Sequence, residues 1–389
     1  MSEFLPSSSA SSSAPATGSP LEKVLRELLA RADVQVDGNR PWDIQVHNPD
    51  TFARVLSKRS LGLGESYMEG WWDCDAIDEL IFRLLQARAG DWSVSRWVQA
   101  LQVIGGRLRN RQSVARASEV AEKHYDLDNE LFSLMLDKTM AYSCGYWRTA
   151  SNLHEAQVAK LDLICRKLDL QPGMKVLDIG CGWGSFVDYA ARNYGVAVDG
   201  VTVSKEQAQY ARERCAGLPV NIMLKDYREV DGRYDRIVSV GMFEHVGERN
   251  YRVFMEVCNR LLRDDGLMLL HTIGNAITSP SYDPWINKYI FPIGKVPSMA
   301  QVATAAERLL DIEDVHNFGP DYARTLKAWD ENFCRHWDKL SRRYDQRFYR
   351  MWRYYLNCCA GAFRARTIHL WQFVLSKPGF RQATYTAPR

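Results

Sequence analysis

From Gly173 onward, short apolar runs alternate with stretches of helical spacing, a pattern that predicts strands joined by helices. The runs place strands at 175–180, 196–203, 220–225, 234–240 and 267–271, with a helix over Phe186–Tyr194 after the first. Such an order predicts a doubly wound α/β sheet, in which ligands sit outside the carboxyl ends of the strands. The segment from Tyr322 to Phe363 is helical by spacing, with Trp329, Phe333 and Trp337 four apart on one stripe. Core packing is the default reading of that stripe.

Ahead of the sheet, residues 21–117 read as a separate, smaller and mostly helical module. A helix over Leu21–Arg31 leads to a hairpin over Val34–Val46 around Asp37-Gly38-Asn39, then to a helix that Asn48 caps and Pro49 opens. The aromatic and glycine-rich piece Leu61–Trp72 is expected to be a packed turn between helices. Gly105-Gly106 and the run after it mark the boundary, so the sheet-bearing unit is taken as residues 118–389. Residues 1–20 are Ser, Ala and Pro with almost no charge, which predicts a disordered tail and lacks the pattern of a signal peptide.

The chemistry concentrates where the first strand ends. Asp178-Ile179-Gly180-Cys181-Gly182-Trp183-Gly184 is a strand tip, a glycine turn and a helix N-terminus. A dinucleotide fingerprint needs its third glycine at position 185, where Ser185 stands, so a nicotinamide dehydrogenase is disfavoured. The Asp-x-Gly-x-Gly-x-Gly run resembles that of S-adenosylmethionine-dependent methyltransferases. There the glycines make room for the methionine portion, and helix-end N–H groups face its carboxylate.

Other strand ends are furnished too. After the second strand, Thr202 and Gln207 stand where an acid commonly meets the ribose, with Asp199 as the competing candidate. After the third, Asp226 and Tyr227 offer a carboxylate for the adenine amino group and a ring to stack on it. Capping by Ser204 and core packing by Tyr227 fit the same spacing equally well. Strands four and five deliver Glu244 and His271 to neighbouring ends, as an acid/base pair or as joint holders of an anion.

Composition narrows the class. With 389 residues, 46% hydrophobic and 25% charged, the chain has the make-up of ordinary soluble globular protein, and no apolar run reaches the length of a membrane span. A net charge of +3 is too small to imply a nucleic-acid partner. Nine cysteines without Cys-x-x-Cys spacing argue for free thiols in a reducing compartment and against a metal site. One stretch is lopsided: Arg88, Arg96, Arg107, Arg109, Arg111 and Arg116 gather around Trp92 and Trp97, with only Asp91 acidic. This suits an anionic bilayer surface, although composition alone favours a solvated helix face with a linker.

Taken together, several pieces resemble the bacterial cyclopropane fatty acid synthases over nearly everything after residue 20. They are His124-Tyr125-Asp126-Leu127, Tyr142-Ser143-Cys144-Gly145-Tyr146-Trp147, the glycine turn, Phe243-Glu244-His245-Val246-Gly247, Asp283-Pro284-Trp285 through Phe291-Pro292, and Cys359-Ala360-Gly361-Ala362-Phe363-Arg364. The resemblance implies transfer of a methylene from S-adenosylmethionine to a cis double bond of a phospholipid acyl chain. It implies a carbocation that loses its proton to a bicarbonate ion held by residues matching Cys144, Glu244, His271, Ile273 and Tyr322. Tyr142, Ser143, Asp178, Gly180, Cys181, Gly182, Thr202, Gln207, Asp226 and Tyr227 are the expected cofactor contacts. Cys359 matches a cysteine regarded as active in the family, but no base neighbours it in sequence, so it ranks as a pocket residue. A homodimer on the cytoplasmic face of the membrane is expected, with helices after Tyr322 roofing an acyl tunnel and a last strand over Ile368–Leu375. Methyl branching and a non-catalytic membrane-binding protein are the alternatives. Two departures stand out: Asp128 where the family usually has Gly, which keeps a turn former, and Gly145 where it usually has Ala, which is expected to loosen the backbone carrying Cys144.

Overall fold

Strand β3 (Lys175–Ile179) buries every residue after its exposed first lysine, as a strand covered on both faces must. It is the third strand from one edge of a seven-stranded sheet in a computed structural model that describes residues 20–88, 129–279, 282–292, 294–380 and 385–389. The other strands are β4 (Ala197–Thr202), β5 (Val220–Leu224), β6 (Tyr234–Val240), β7 (Leu262–Asn275), β8 (Asp311–Asn317) and β9 (Ile368–Ser376). Their spatial order is β5-β4-β3-β6-β7-β9-β8. The first five in that row run parallel, while β9 is antiparallel to both β7 and β8. From β3 the chain winds first to β4 and β5, then crosses back to β6, so the order reverses at β3. Such a switch point opens a crevice at the carboxyl ends.

Helices cover both faces. Between the parallel strands lie α6 (Ser185–Tyr194), α7 (Lys205–Arg214), the short α8 (Phe243–Val246) and α9 (Tyr251–Leu261). Preceding β3 are α4 (Asn129–Met135) and α5 (Leu153–Lys167), and α5 is capped by Asn152, whose side chain accepts from the Glu155 N–H. Later come α10 (Pro284–Tyr289), α11 (Met299–Ala306), α12 (Gly319–Arg335), α13 (Trp337–Leu340) and α14 (Gln346–Arg364). The aromatic stripe behaves as its spacing predicts, Trp329 and Phe333 being fully buried. The segment read as helical divides into several helices: α12 ends at Arg335 and Trp337 opens α13. Asp345 restarts α14 by accepting from the Phe348 N–H at 2.7 Å.

The N-terminal part holds α1 (Pro20–Ala30), α2 (Asp50–Met68) and α3 (Ile77–Arg88), with β1 (Gln45–Val46) paired antiparallel to β2 (Trp72–Asp73). The hairpin expected at 34–46 is absent. Only Val36 and Ile44 form a bridge, because carboxylates satisfy the loop's N–H groups instead: Asp43 accepts from Gln35 at 2.8 Å and Asp37 from Val46 at 3.0 Å. Leu61–Trp72 is likewise not a turn. After a break at Arg59, α2 continues through Met68, with Trp285 of α10 lying against Gly64. Asn48 does serve the helix start, accepting from the Asp50 N–H at 2.9 Å.

Two strand expectations also change. β7 runs four residues past His271 because β9 pairs with it to Asn275. β8 was not expected at all: its sequence, Asp311-Ile-Glu-Asp-Val-His-Asn317, is that of a charged sheet edge. The Trp92 and Trp97 segment with its arginines from Arg96 to Arg116, Gly105-Gly106, His124–Leu127 and Asp128 lie outside the described residues.

Candidate active site

At the carboxyl ends of β3, β4 and β6 lies a cavity of about 210 Å³. All ten expected cofactor residues line it: Tyr142, Ser143, Asp178, Gly180, Cys181, Gly182, Thr202, Gln207, Asp226 and Tyr227. Gly180 adopts φ +88°, and a Cβ there would come within 2.8 Å of Met242, so the turn leaves no space for a side chain. Thr202 Oγ1 donates to Gln207 Oε1 at 3.1 Å, leaving the rest of the amide for a ligand. Asp199, the competing ribose candidate, belongs to another face: it accepts from Tyr234 Oη at 2.8 Å and Asn221 at 3.0 Å. Asp226 is gripped by Arg228, whose Nε and Nη2 each donate to it at 2.7 Å, and the guanidinium holds its carboxyl below the usual range despite burial. Tyr227 both lines the cavity and packs edge-on against Phe254 in the core, so the two readings of its ring are compatible.

Beside the cavity, the tips of β6 and β7 bring the second group together. Glu244 Oε1 accepts from the Ile273 N–H at 2.7 Å, while Glu244 Oε2 is buried without a partner among the described residues. His271, two residues before Ile273 on the same face of β7, faces Gln372 at Nδ1 (3.2 Å), and its buried Nε2 is likewise unpartnered. Burial pushes the Glu244 carboxyl up to about 7 and drives the His271 imidazole well below its ordinary value, so both favour their neutral forms. With Gln372 donating to Nδ1, the neutral ring carries its proton on Nε2. With Ile273 donating to Oε1, a neutral Glu244 carries its proton on Oε2. In those protonation states both orphaned atoms are hydrogen-bond donors, and buried polar groups are rarely left without a partner.

Tyr322, on α12, lies within electrostatic reach of Cys144, Glu244 and Cys359, and burial raises its phenol well above the ordinary value. Cys144 is fully buried and its thiol is raised well above the usual range, first by burial and then by Asp321. Cys359 is pushed up to about 12 by burial and then Asp283, which leaves no thiolate for nucleophilic work. Aromatic rings connect this group to the cavity. Tyr142 packs on Trp329 (5.1 Å between centroids), Trp329 on Tyr322 (5.9 Å), and Tyr322 on Phe363 (4.6 Å).

A family model described as mycolic acid cyclopropane synthetase matches residues 112–373. The chain belongs to that family. A cyclopropane-fatty-acyl-phospholipid synthase of Escherichia coli (strain K12) is 54% identical over 355 residues, covering 91% of this chain and 93% of its own. Among solved structures, the cyclopropane synthase MmaA2 from Mycobacterium tuberculosis superposes with a TM-score of 0.64 at 34% identity, covering 67% of this chain and 98% of its own. Mycolic acid cyclopropane synthase CmaA1 complexed with SAH and CTAB gives 0.63 at 36% identity, covering 67% and 98%. The sheet order described above is the Rossmann-like architecture of S-adenosylmethionine-dependent methyltransferases.

Within this cyclopropane synthetase framework, Gly145 proves to be pinned, not loosened. Its N–H donates to Thr325 Oγ1 at 3.1 Å, and a Cβ would meet Ala156 at 2.9 Å, so the missing methyl lets α5 close in on the strip that carries Cys144. Three residues of the site were missed from sequence. Arg228 braces Asp226, Gln372 orients His271, and Lys160 lines the cavity although it reads as one more lysine on a helix. Arg228 alone had a local signal, two residues after the carboxylate it holds.

Proposed function

We propose that the chain forms cyclopropane rings on unsaturated acyl chains of membrane phospholipids, using S-adenosylmethionine as donor and a bound bicarbonate as base. The observation that carries this reading is the pair of buried polar atoms left without a partner among the described residues, Glu244 Oε2 and His271 Nε2, at neighbouring strand tips beside the methyltransferase cavity. Its neighbours add support: a 54% identical relative is named cyclopropane-fatty-acyl-phospholipid synthase, and a similar synthase was solved with SAH. When bound, S-adenosylmethionine supplies an electrophilic methyl carbon and bicarbonate a base; the alkene takes the carbon, and loss of a proton from the resulting cation closes the ring.

The chain's own residues position and shield. An isolated alkene is a poor nucleophile, so holding it in line with the donor supplies much of the rate. Glu244 and His271, as neutral donors, hold an anion without adding a second negative charge to a buried site. Ile273 acts by fixing Glu244, since its N–H is spent there. Tyr142, Trp329, Tyr322 and Phe363 form a contiguous run of rings that on this reading would border the acyl chain, where a desolvated ring face can stabilise a cation by about 2 kcal/mol without being alkylated. Cys144 and Cys359 stay thiols and fill the wall.

The same reading takes residues 21–117, with the arginine-rich segment, as the part that meets the anionic surface, and the working form as a homodimer at the inner face of the membrane. No described helix is long and apolar enough to cross a bilayer. The test is to incubate purified chain with vesicles of unsaturated phospholipid and methyl-deuterated donor, then analyse the fatty acids by mass spectrometry. A ring retains all but one deuteron of the labelled methyl. No S-adenosylhomocysteine and no modified acyl chain would end the proposal.

A further inference from the structure

Lys160 projects from α5 and is 1% exposed, and it lines the cavity beside Ser143 and Asp178. Among the described residues its ammonium makes one hydrogen bond, to Ser143 Oγ at 3.0 Å. An ammonium has three donors, so this one keeps capacity to spare. Asp178, 2% exposed at the tip of β3, makes no side-chain hydrogen bond among the described residues and lines the same cavity. The two are felt by one another but form no contact ion pair: Lys160 restrains the rise of the Asp178 carboxyl, which burial takes to about 7, and burial lowers Lys160 to about 8.

A buried ammonium and a buried carboxyl that line one cavity, each with unused hydrogen-bonding capacity, are costly unless something completes them. A zwitterion seated in the cavity completes both. Resting on the reading of the cavity as a donor site, we infer that Lys160 binds the α-carboxylate of the donor's amino-acid end, with Ser143 beside it and Asp178 facing the α-ammonium. Lys160 then selects ligands that carry the carboxylate, apart from any interaction with the adenosine end, which belongs to Thr202, Gln207, Asp226 and Tyr227.

Placement supports the assignment over a purely structural role. A lysine that merely filled the core would be better replaced by an apolar side chain of its size. Here, one turn earlier on α5, Gln157 already fastens the strip, its Nε2 donating to the Ser143 carbonyl at 2.8 Å. Lys160 is therefore not needed to anchor Ser143, and its charge is the property left to explain.

The test compares Lys160→Met and Lys160→Arg with the unchanged full-length chain by calorimetric titration of three ligands: S-adenosylhomocysteine, its decarboxylated analogue, and 5′-methylthioadenosine, which lacks the whole amino-acid end. A charged hydrogen bond lost in a dry site corresponds to roughly a ten- to hundredfold loss of affinity. Lys160→Met is expected to lose that factor for S-adenosylhomocysteine and almost nothing for the other two, so that selectivity for the carboxylate disappears. Lys160→Arg is expected to retain part of it. Equal losses for all three ligands, or no loss for any, would overturn the role of Lys160. Failure of the unchanged chain to bind S-adenosylhomocysteine would instead bring down the reading of the cavity.

Discussion

Glu244→Gln separates what this carboxyl does for the reaction from what it costs the fold. The amide can still accept from the Ile273 N–H and places an N–H₂ where the orphaned Oε2 stood, so shape and one hydrogen bond are kept. What changes is the ability to ionise. Burial raises the carboxyl from 4.5 to about 7, so the fold favours its neutral form. That contribution is fully present below about pH 4.5, declines as pH rises, and is gone above about 7. At about 1.4 kcal/mol per unit, the difference amounts to about 3 kcal/mol that the ionised side chain forfeits. At about pH 8, then, the variant should be the more stable protein, and near pH 4.5 the two should match. With an unfolding entropy of roughly 2 cal/mol/K per residue, the gain at the higher pH appears as about 4 °C in the thermal midpoint. The assay is differential scanning calorimetry of ligand-free protein in carbonate-free buffer at both pH values, alongside ring formation and S-adenosylhomocysteine binding. Ring formation should vanish while binding persists. A shift in midpoint of the same size at both pH values would refute the argument, because nothing but the ionisation distinguishes the two conditions.

His271→Ala should likewise abolish ring formation and leave S-adenosylhomocysteine affinity nearly intact, since His271 does not line the cavity; joint loss of both would mean the site is not divided as described. Gly180→Ala should do the opposite, lowering S-adenosylhomocysteine affinity at least tenfold as its methyl meets Met242 and the left-handed backbone costs about 1–2 kcal/mol, with circular dichroism unchanged. Normal affinity in that variant would show that the turn does not approach the ligand. Reversing Arg107, Arg109 and Arg111 to Glu should weaken flotation with anionic vesicles and flatten its dependence on salt. Unchanged flotation would remove that segment from the account of membrane binding.

Local pattern carried the parts of this site that depend on local pattern. β3 and its glycine turn were legible because a strand buried on both faces is a continuous apolar run and because Gly180 cannot be anything else. Thr202, Gln207, Asp226 and Tyr227 followed from the rule that strand ends face the ligand. Asp199 shows the limit of that rule: it lies in the same strand as Thr202, but the alternation of side chains sends it toward Tyr234 and Lys175. Polar satisfaction was harder to foresee. Asp37 and Asp43 close their own loop and so remove the hairpin, and β8 hides as a polar edge. Lys160 was illegible for another reason. Whether a lysine on a helix is solvated or sealed in depends on what packs over it, and the strip from Tyr142 to Trp147, which does so, is neither helix nor strand.

That strip is where the two halves of the site become one. Tyr142 and Ser143 line the cofactor cavity, while the next residue, Cys144, belongs with Glu244 and Tyr322. Consecutive Cα atoms stand about 3.8 Å apart, so on the proposed mechanism donor and anion would be held by adjacent links of one backbone. Both ends of the strip are fixed by helices that have their own reasons to be there. Gln157 on α5 holds the Ser143 carbonyl at 2.8 Å. On α12, Thr325 Oγ1 accepts from the Gly145 N–H at 3.1 Å and the Trp147 indole at 2.9 Å, and Asp321 accepts from the Trp147 N–H at 2.7 Å. Tyr322 follows Asp321 directly, so the helix that sets the strip also sets the Tyr322 phenol near Cys144 and Glu244. A donor carbon, an alkene and a base must meet within a fraction of an ångström. On the proposed mechanism that registration would come from an irregular stretch locked between two helices, which explains why neither the apolar period nor the glycine motif reveals it.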